Sequence, residues 1–385
     1  MLTWREVLEA EEVDDRRAVG EMHPGIPVFR QGRALIMDLK DGGFKVLSSG
    51  FTNGGYSEDP QAVINMSGSG GKPEFSVMMG GLDEFDESVA RYVEKLGLDS
   101  ERCVCMNTAA NMDNAIITNM VSKDGIGVST AITAGIRHNG GRPGDPSYYD
   151  EAADTHGEKS GTIIILISID ADLSKSAMLS AMMMVTEAKS CVVQEFQARS
   201  LYSPNIATGS GTDQVAVIVK RGSKKVDVFS RTSDLAIAIA DCVKKGLREA
   251  LARQSGMDTE LQTDVMTILS RYNLTQDTIR EEIRFPATME ELMGALDIVR
   301  RDKYLATMAM AVLNIQDGVR NGRIPESEGL EVAKLICEKD VLGGVKNKVE
   351  RIRLDSAENI PDLISYTAAL KLLRTVEERR CCREE

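Results

Sequence analysis

Residues 160–213 decide the fold: Ser160-Gly161-Thr162-Ile163-Ile164-Ile165-Leu166-Ile167-Ser168-Ile169 opens the stretch, and Ala207-Thr208-Gly209-Ser210-Gly211-Thr212-Asp213 closes it. The β-branched apolar run from Thr162 to Ile169 has the length and composition of one fully buried strand. The segment that follows has an N-cap candidate in Asp172 or Ser174, and no Pro or Gly until well past Phe196. It predicts a long helix. Gln214–Val219 is again apolar and β-branched, so strand, helix, turn and strand follow in order.

At about 100° per residue, Ala177, Ala181, Met184, Ala188 and Val192 form one stripe of mostly small side chains, which lets a helix lie close against a sheet. Glu187 falls to one side of that stripe and Lys189 to the other, so both can flank a site without pairing with each other. Met178, Met182, Met183 and Met184 crowd the same helix, as adaptable core filler or as an apolar wall for a flat ligand. In the turn, glycines at 209 and 211 let a ligand approach backbone N–H groups. The hydroxyls of Thr208, Ser210 and Thr212 add donors, and Asp213 adds an acceptor or general base. Such a turn holds an oxyanion or is simply tight.

Five short motifs, in order and spacing, resemble the CbiZ-type adenosylcobinamide amidohydrolases over residues 25–225. They are Thr133-Ala134-Gly135; a Gly-rich turn ending in Gly144-Asp145; Gly161-Thr162-Ile163; Thr186-Glu187-Ala188-Lys189; and the turn 207–213. Upstream, Leu47-Ser48-Ser49-Gly50, Gly54-Gly55 and Asn65 fit the same pattern. The chain departs from it where Ile136, Arg137, His138 and Asn139 intervene, which puts either His138 or Asn139 at a family Asn position. It departs again at Ile164, where a polar side chain is lost.

The resemblance implies cleavage of the amide that joins the aminopropanol arm to the corrin ring, giving adenosylcobyric acid for corrinoid salvage. Glu187, Lys189, Asp213 and Thr208 are then the catalytic candidates. The substrate-binding candidates are Asn65, Thr133, Gly135, His138, Asn139, Asp145, Thr162, Gly209, Gly211 and Thr212. Glu187 or Asp213 serves as base, Lys189 as charge stabiliser or acid, and the N–H groups around 209–211 as oxyanion donors. A binder that kept the pocket and lost hydrolysis is the alternative, as is a bifunctional enzyme with an added phosphatase domain.

The rest of the chain fits an α+β protein, a mixed β-sheet core packed with helices, followed by an all-α domain: 1–230 and 231–385. Residues 1–20 predict a surface helix. Ala34–Leu39 and Phe44–Ser48 predict a hairpin across Asp41-Gly42-Gly43, and Ser67–Gly71 a Gly/Ser connection. The polar segment 137–160 is long enough to be a functional lid. Val226–Ser230 predicts an edge strand, and from Leu235 onward only helical periods recur. In that helical part Thr288-Met289-Glu290-Glu291-Leu292, Asp317-Gly318 and Gly322-Arg323-Ile324-Pro325-Glu326 faintly resemble the phosphatidylglycerophosphatase-like group, which includes α-ribazole-phosphate phosphatases.

Composition narrows the partners. Hydrophobic and charged contents of 42% and 27% suit a globular chain, and a net charge of −13 offers no basic stripe for nucleic acid. The acidic N-terminus lacks a signal-peptide pattern and no apolar run is long enough for a membrane span. The seven Cys lack zinc or redox spacing, which favours a reducing cytoplasm. Three dispersed His suggest no metal site, and no cofactor is called for. The expected partner is a small-molecule corrinoid, with a homo-oligomer as an option for the helical part.

Overall fold

The computed structural model describes residues 2–69, 77–78, 82–146, 149–150, 155–156, 161–283, 288–341 and 354–384. The chain forms two compact units, Met1–Asp258 and Thr259–Glu385.

In the first unit, eleven strands among the described residues form two sheets. They are β1 Arg17–Met22, β2 Ile26–Gln31, β3 Ala34–Asp38, β4 Phe44–Ser48, β5 Gly55–Glu58, β6 Ala62–Ser67, β7 Cys103–Thr108, β8 Ile116–Val121, β9 Gly127–Gly135, β10 Thr162–Ile169 and β11 Gln214–Lys220. One sheet has the order β1-β2-β3-β6-β7 and the other β8-β9-β10-β11-β4-β5. The β6–β7 and β10–β11 pairs are parallel and the remaining ones antiparallel.

Leu35, Met37, Val63, Val104 and Met106 of the first sheet share one core with Val46, Ala131, Ile164, Leu166, Ala216 and Ile218 of the second. The two sheets therefore pack face to face. The outer face of the five-stranded sheet, with Ile36, Ile64 and Cys105, buries Phe85, Val89 and Val93 of α2 (Leu82–Lys95) and Leu8 of α1 (Trp4–Ala10). The six-stranded sheet is covered by α3 (Lys175–Glu195) on β11 and by α4 (Asp234–Ser255) on β8 and β9. The unit is thus a four-layer helix–sheet–sheet–helix sandwich, the mixed α+β core expected from sequence. All eight residues of β10 are buried. With a helix on one side and a second sheet on the other, it has no polar face, which is why its sequence is continuous and not alternating.

Three local expectations change. The 34–39 and 44–48 strands do not form a hairpin: β3 lies in one sheet and β4 in the other. Leu35 and Met37 face Phe44 and Val46 across the core, which only opposed sheets permit. Gly42 and Gly43, at φ of 77° and 76°, make the reversal, and Asp59 Oδ1 accepts from Gly43 N at 3.0 Å. The N-terminal helix spans only Trp4–Ala10, closed by a Thr3–Glu6 capping box. Arg17–Met22 is instead an edge strand exposed along most of its length, so no alternating pattern marks it. From the 226–230 segment only Val226 is in a strand, with Lys225, pairing in parallel with Asp172–Leu173.

Ser174 caps α3, and Asp172 pairs instead with Lys45 at 2.5 Å. Of the expected stripe Ala177, Ala181, Ala188 and Val192 are buried while Met184 is half-buried. Met178 is core and Met183 is exposed.

The second unit is helical: α5 Thr259–Gln262, α6 Val265–Leu269, α7 Gln276–Ile283, α8 Met289–Val299, α9 Lys303–Arg320, α10 Glu326–Val341 and α11 Ile360–Glu384. Leu269, Leu296, Val312, Ala333, Leu363 and Ile364 sit in its core. The residues that carried the phosphatase-like resemblance have structural partners here. Thr288 and Glu291 form the capping box of α8, and Glu291 also pairs with Arg380 at 2.8 Å. Asp317 accepts from Arg271 at 2.7 Å, Tyr272 at 2.9 Å and Arg320 at 3.2 Å. No described helix is long and apolar enough to cross a membrane.

Candidate active site

Three strands of the six-stranded sheet reach one edge together. Gly135, the last residue of β9, pairs with Thr162, the first of β10, and Ile164 pairs with Gln214, the first of β11. The turn 207–213 enters β11 at this edge. Gly141 and Gly209 bridge it to the segment after β9, with Gly141 N donating to Gly209 O at 2.9 Å and Thr208 N to Gly141 O at 2.9 Å.

The centre of the turn is Asp213. Its Oδ1 accepts from Ile163 N at 2.9 Å and Ser210 Oγ at 2.6 Å, and its Oδ2 from Ser210 N at 3.0 Å. The fourth donor is Lys189 Nζ, reaching in from α3 to Oδ2. Only 11% of the Lys189 side chain and 9% of the Asp213 side chain are accessible. The cost of taking such a pair this far from water is offset by the four donors that surround the carboxylate. Glycine at 209 is a packing requirement, since a Cβ there would stand 2.0 Å from Asp213 Oδ2 and 2.5 Å from Lys189 Nζ.

Around the pair sits a shell of hydroxyls and amides. Thr162 Oγ1 donates to Thr212 O at 2.7 Å and lies 2.8 Å from Thr212 Oγ1. Asn139 Nδ2 donates to Gly161 O, and Thr212 Oγ1 donates to the same carbonyl at 3.4 Å. Deeper between the sheets, Asn65 Nδ2 donates to Thr133 Oγ1 at 2.9 Å. Lys189, Asp213, Gly209, Thr208, Thr162, Thr212, Asn139, Gly135, Thr133 and Asn65 therefore converge on one end of the sandwich.

Other expected residues lie apart from the pair. Glu187 points along the exposed flank of α3, where its Oε1 meets Arg231 Nη2 at 2.5 Å. His138 is exposed while its neighbour Asn139 is buried. Gly211 is exposed and has nothing near it. The oxyanion cradle expected at 209–211 is largely closed: Thr208 N and Gly209 N donate to Gly141 O, and Ser210 N to Asp213.

Asp145 is a neighbouring anchor, accepting from Arg142 N at 2.9 Å, Ser200 Oγ at 2.6 Å and Ser203 Oγ. Partial burial opposes its charge, yet the Ser200, Ser203 and Arg142 hydrogen bonds hold its carboxyl below the usual range. Within the 137–160 segment, Tyr149–Asp150 pairs with Thr155–His156, and residues 147–148, 151–154 and 157–160 lie outside the described residues, as do Gly70 and Gly71.

Sequence reasoning missed Ser200, Ser203 and Gly141, whose roles come from a loop folding back on 207–209. It also missed Gln214, whose Oε1 and Nε2 tie to the Asn107 backbone at 3.3 Å. The paired glycines 140–141 were the available signal. Burial pushes the thiols of Cys103 up to about 12 and of Cys242 to about 11, away from nucleophilic use. Among the described residues no three His, Cys, Asp or Glu side chains gather as a metal site.

A relative from Methanocaldococcus jannaschii, an uncharacterized protein, is 33% identical over 174 residues, 42% of this chain and 68% of its own. A crystal structure of the PH0078 protein from Pyrococcus horikoshii overlays 63% of this chain and 83% of its own at 11% identity, with a TM-score of 0.29, too low to bear on fold or function. The family model described as adenosylcobinamide amidohydrolase matches residues 23–259, which contain the six-stranded sheet, all of the five-stranded sheet but its edge strand β1, α3, α4 and every residue of the site. By that match the chain belongs to the adenosylcobinamide amidohydrolase family.

Proposed function

We propose that this protein hydrolyses the amide joining the aminopropanol arm to the corrin ring of adenosylcobinamide, releasing adenosylcobyric acid. The observation that carries the reading is the Lys189–Asp213 pair, set at the strand edge inside the family-matched region and with the Gly209 backbone packed against it. Amide hydrolysis needs a base for water, positive charge at the developing oxyanion and a proton for the leaving amine.

As Lys189 Nζ turns from Asp213 Oδ2 to the substrate it frees a lone pair there, and Asp213 Oδ2 takes the proton from water as it attacks the amide carbon. The Lys189 ammonium faces the tetrahedral oxyanion and gives its proton to the leaving nitrogen. The Ser210 hydroxyl and the Ile163 and Ser210 amides hold the carboxylate in place throughout. Thr208, Thr162 and Thr212 line the turn as substrate contacts, and Asn139 takes the family's Asn position because it, unlike His138, is built into the network. Glu187 belongs to the surface and has no step in this scheme.

Incubation with adenosylcobinamide followed by mass spectrometry tests the reading. Adenosylcobyric acid and free aminopropanol in equal amounts support it. Substrate recovered intact after prolonged incubation refutes it.

A further inference from the structure

The Lys189–Asp213 pair stands at one end of an apolar strip. Ala216 and Ile218 of β11 and Phe44 and Val46 of β4 belong to the core between the sheets, so Val215, Val217 and Leu47 point to the opposite, helix-bearing face. Asp213, two residues before Val215, shares that face, and there Lys189 of α3 meets it. On this face α3 packs on β11 and α4 on β8 and β9, while the sheet continues past β11 into β4 and β5. Leu47 pairs with Val217 on one side and with Tyr56 on the other, and both Leu47 and Tyr56 are half-buried.

The flank of α3 beside those strands is fixed at both ends. Lys175 Nζ lies 4.1 Å from the centre of the Tyr56 ring. Fourteen residues on, Lys189 reaches Asp213, and Ser190 Oγ donates to Thr208 O at 3.3 Å. At about 100° per residue Lys175, Leu179, Met182, Thr186 and Lys189 follow one line along the helix, so the middle three front β4 and β5. Leu179 is 54% exposed, Met182 is half-buried, and Thr186 spends its hydroxyl on Met182 O at 2.9 Å. Apolar surface therefore stays open along about 15 Å of helix between Leu179 and Lys189.

We infer that this strip is the seat of the substrate's ring, with Leu179, Met182 and Leu47 against the flat face of the macrocycle. The assignment rests on the corrinoid reading above and deepens it. The scissile amide hangs from the ring's periphery, so with the amide at Asp213 the ring lies to one side of the pair. On the β9 side α4 occupies the face, and the turn 207–213 with Gly141 closes the end of the sheet. The β4–β5 side is open, apolar and continuous with the pair. Methionine, unbranched and polarizable, adapts to a broad flat surface.

Steady-state cleavage of adenosylcobinamide by the full chain tests the assignment. Leu179→Ser and Met182→Ser should each raise KM roughly tenfold, the scale of one lost apolar contact. Their kcat should stay within about twofold of wild type, because a ring contact is the same before and during attack. Met183→Ser, on the same helix and 59% exposed but off this line, should leave KM within about twofold. Leu179 is exposed, so its replacement leaves the fold intact, which the melting temperature checks.

Leu179→Ser and Met182→Ser variants that both keep the wild-type KM overturn the ring seat while leaving the reaction intact. So does an equal rise in KM for Met183→Ser. Self-association that is lost in Leu179→Ser with KM unchanged overturns it as well and gives the strip to a second copy. Wild-type protein that leaves adenosylcobinamide intact overturns the proposed function and this seat with it.

Discussion

Lys189 and Asp213, 24 residues apart, meet through Nζ and Oδ2 at the edge where β10 and β11 begin, each with about nine-tenths of its side chain shielded from water. The helix supplies the cation and the turn supplies the anion. Neither charge is stable there alone, so the pair couples the packing of α3 to the shape of the 207–213 turn. That coupling leads to the first prediction.

Lys189→Met or Asp213→Leu alone leaves a buried charge without its partner and should lower stability by about 3–5 kcal/mol, the usual result of breaking such a pair. The double variant should recover much of that loss, because two apolar side chains of similar size need no compensation. Chemical denaturation of wild type, both single variants and the double variant measures the coupling. Activity should be absent from all three variants.

Gly209→Ala places a methyl group on the carboxylate and the ammonium at once. It should destabilise the unit by about 1–3 kcal/mol, as overpacking does, and remove turnover. Gly211→Ala, where nothing lies near the added Cβ, is the matched control and should keep at least half of the wild-type rate. Steady-state kinetics on the two variants separates a steric requirement from a general need for flexibility.

Glu187→Gln should leave the rate within about twofold of wild type and stability within about 0.5 kcal/mol, because its partner is the exposed Arg231 and surface pairs are worth little. A loss of activity above tenfold would return Glu187 to the chemistry.

The loop anchored by Asp145 should be sensitive to acid. Its carboxyl is held below the ordinary value of 3.8, so the folded state binds its proton less readily than the unfolded chain does. The resulting stabilisation is complete above about pH 4 and falls away as pH drops through the lowered folded value. Asp145→Asn lacks this contribution. The difference in melting temperature between it and wild type should therefore shrink between pH 5 and pH 3.

Much of this was legible in the sequence, for physical reasons. The Thr162–Ile169 run announced a strand buried on both faces, and the small residues at 177, 181 and 188 announced a helix pressed to a sheet. Helical periods beyond residue 258 gave the second unit's elements because helices such as α8 and α9 have their own caps and apolar faces. What stayed hidden depended on partners distant in sequence. The Asp41-Gly42-Gly43 reversal has the chemistry of a hairpin turn, and only the pairing of β3 with β6 and of β4 with β11 shows that it joins two sheets.

The site was legible as a set of residues and not as an arrangement. The alternation of Gly with Ser and Thr at 208–212 suggested open backbone donors. Gly141, arriving from a separate loop, instead takes two of them, and Asp213 takes a third. Glu187 and Lys189 were equivalent flank charges on a helical wheel, and only tertiary packing turns one to Asp213 and the other to Arg231.

The most direct test of the central claim compares wild type with Asp213→Asn in a single-turnover reaction with adenosylcobinamide, alongside corrinoid binding by each. The account predicts that Asp213→Asn binds the corrinoid within about threefold of wild type while its cleavage rate falls by at least about 10³, the scale expected when a general base is removed. Cleavage by Asp213→Asn at a rate near that of wild type would contradict it.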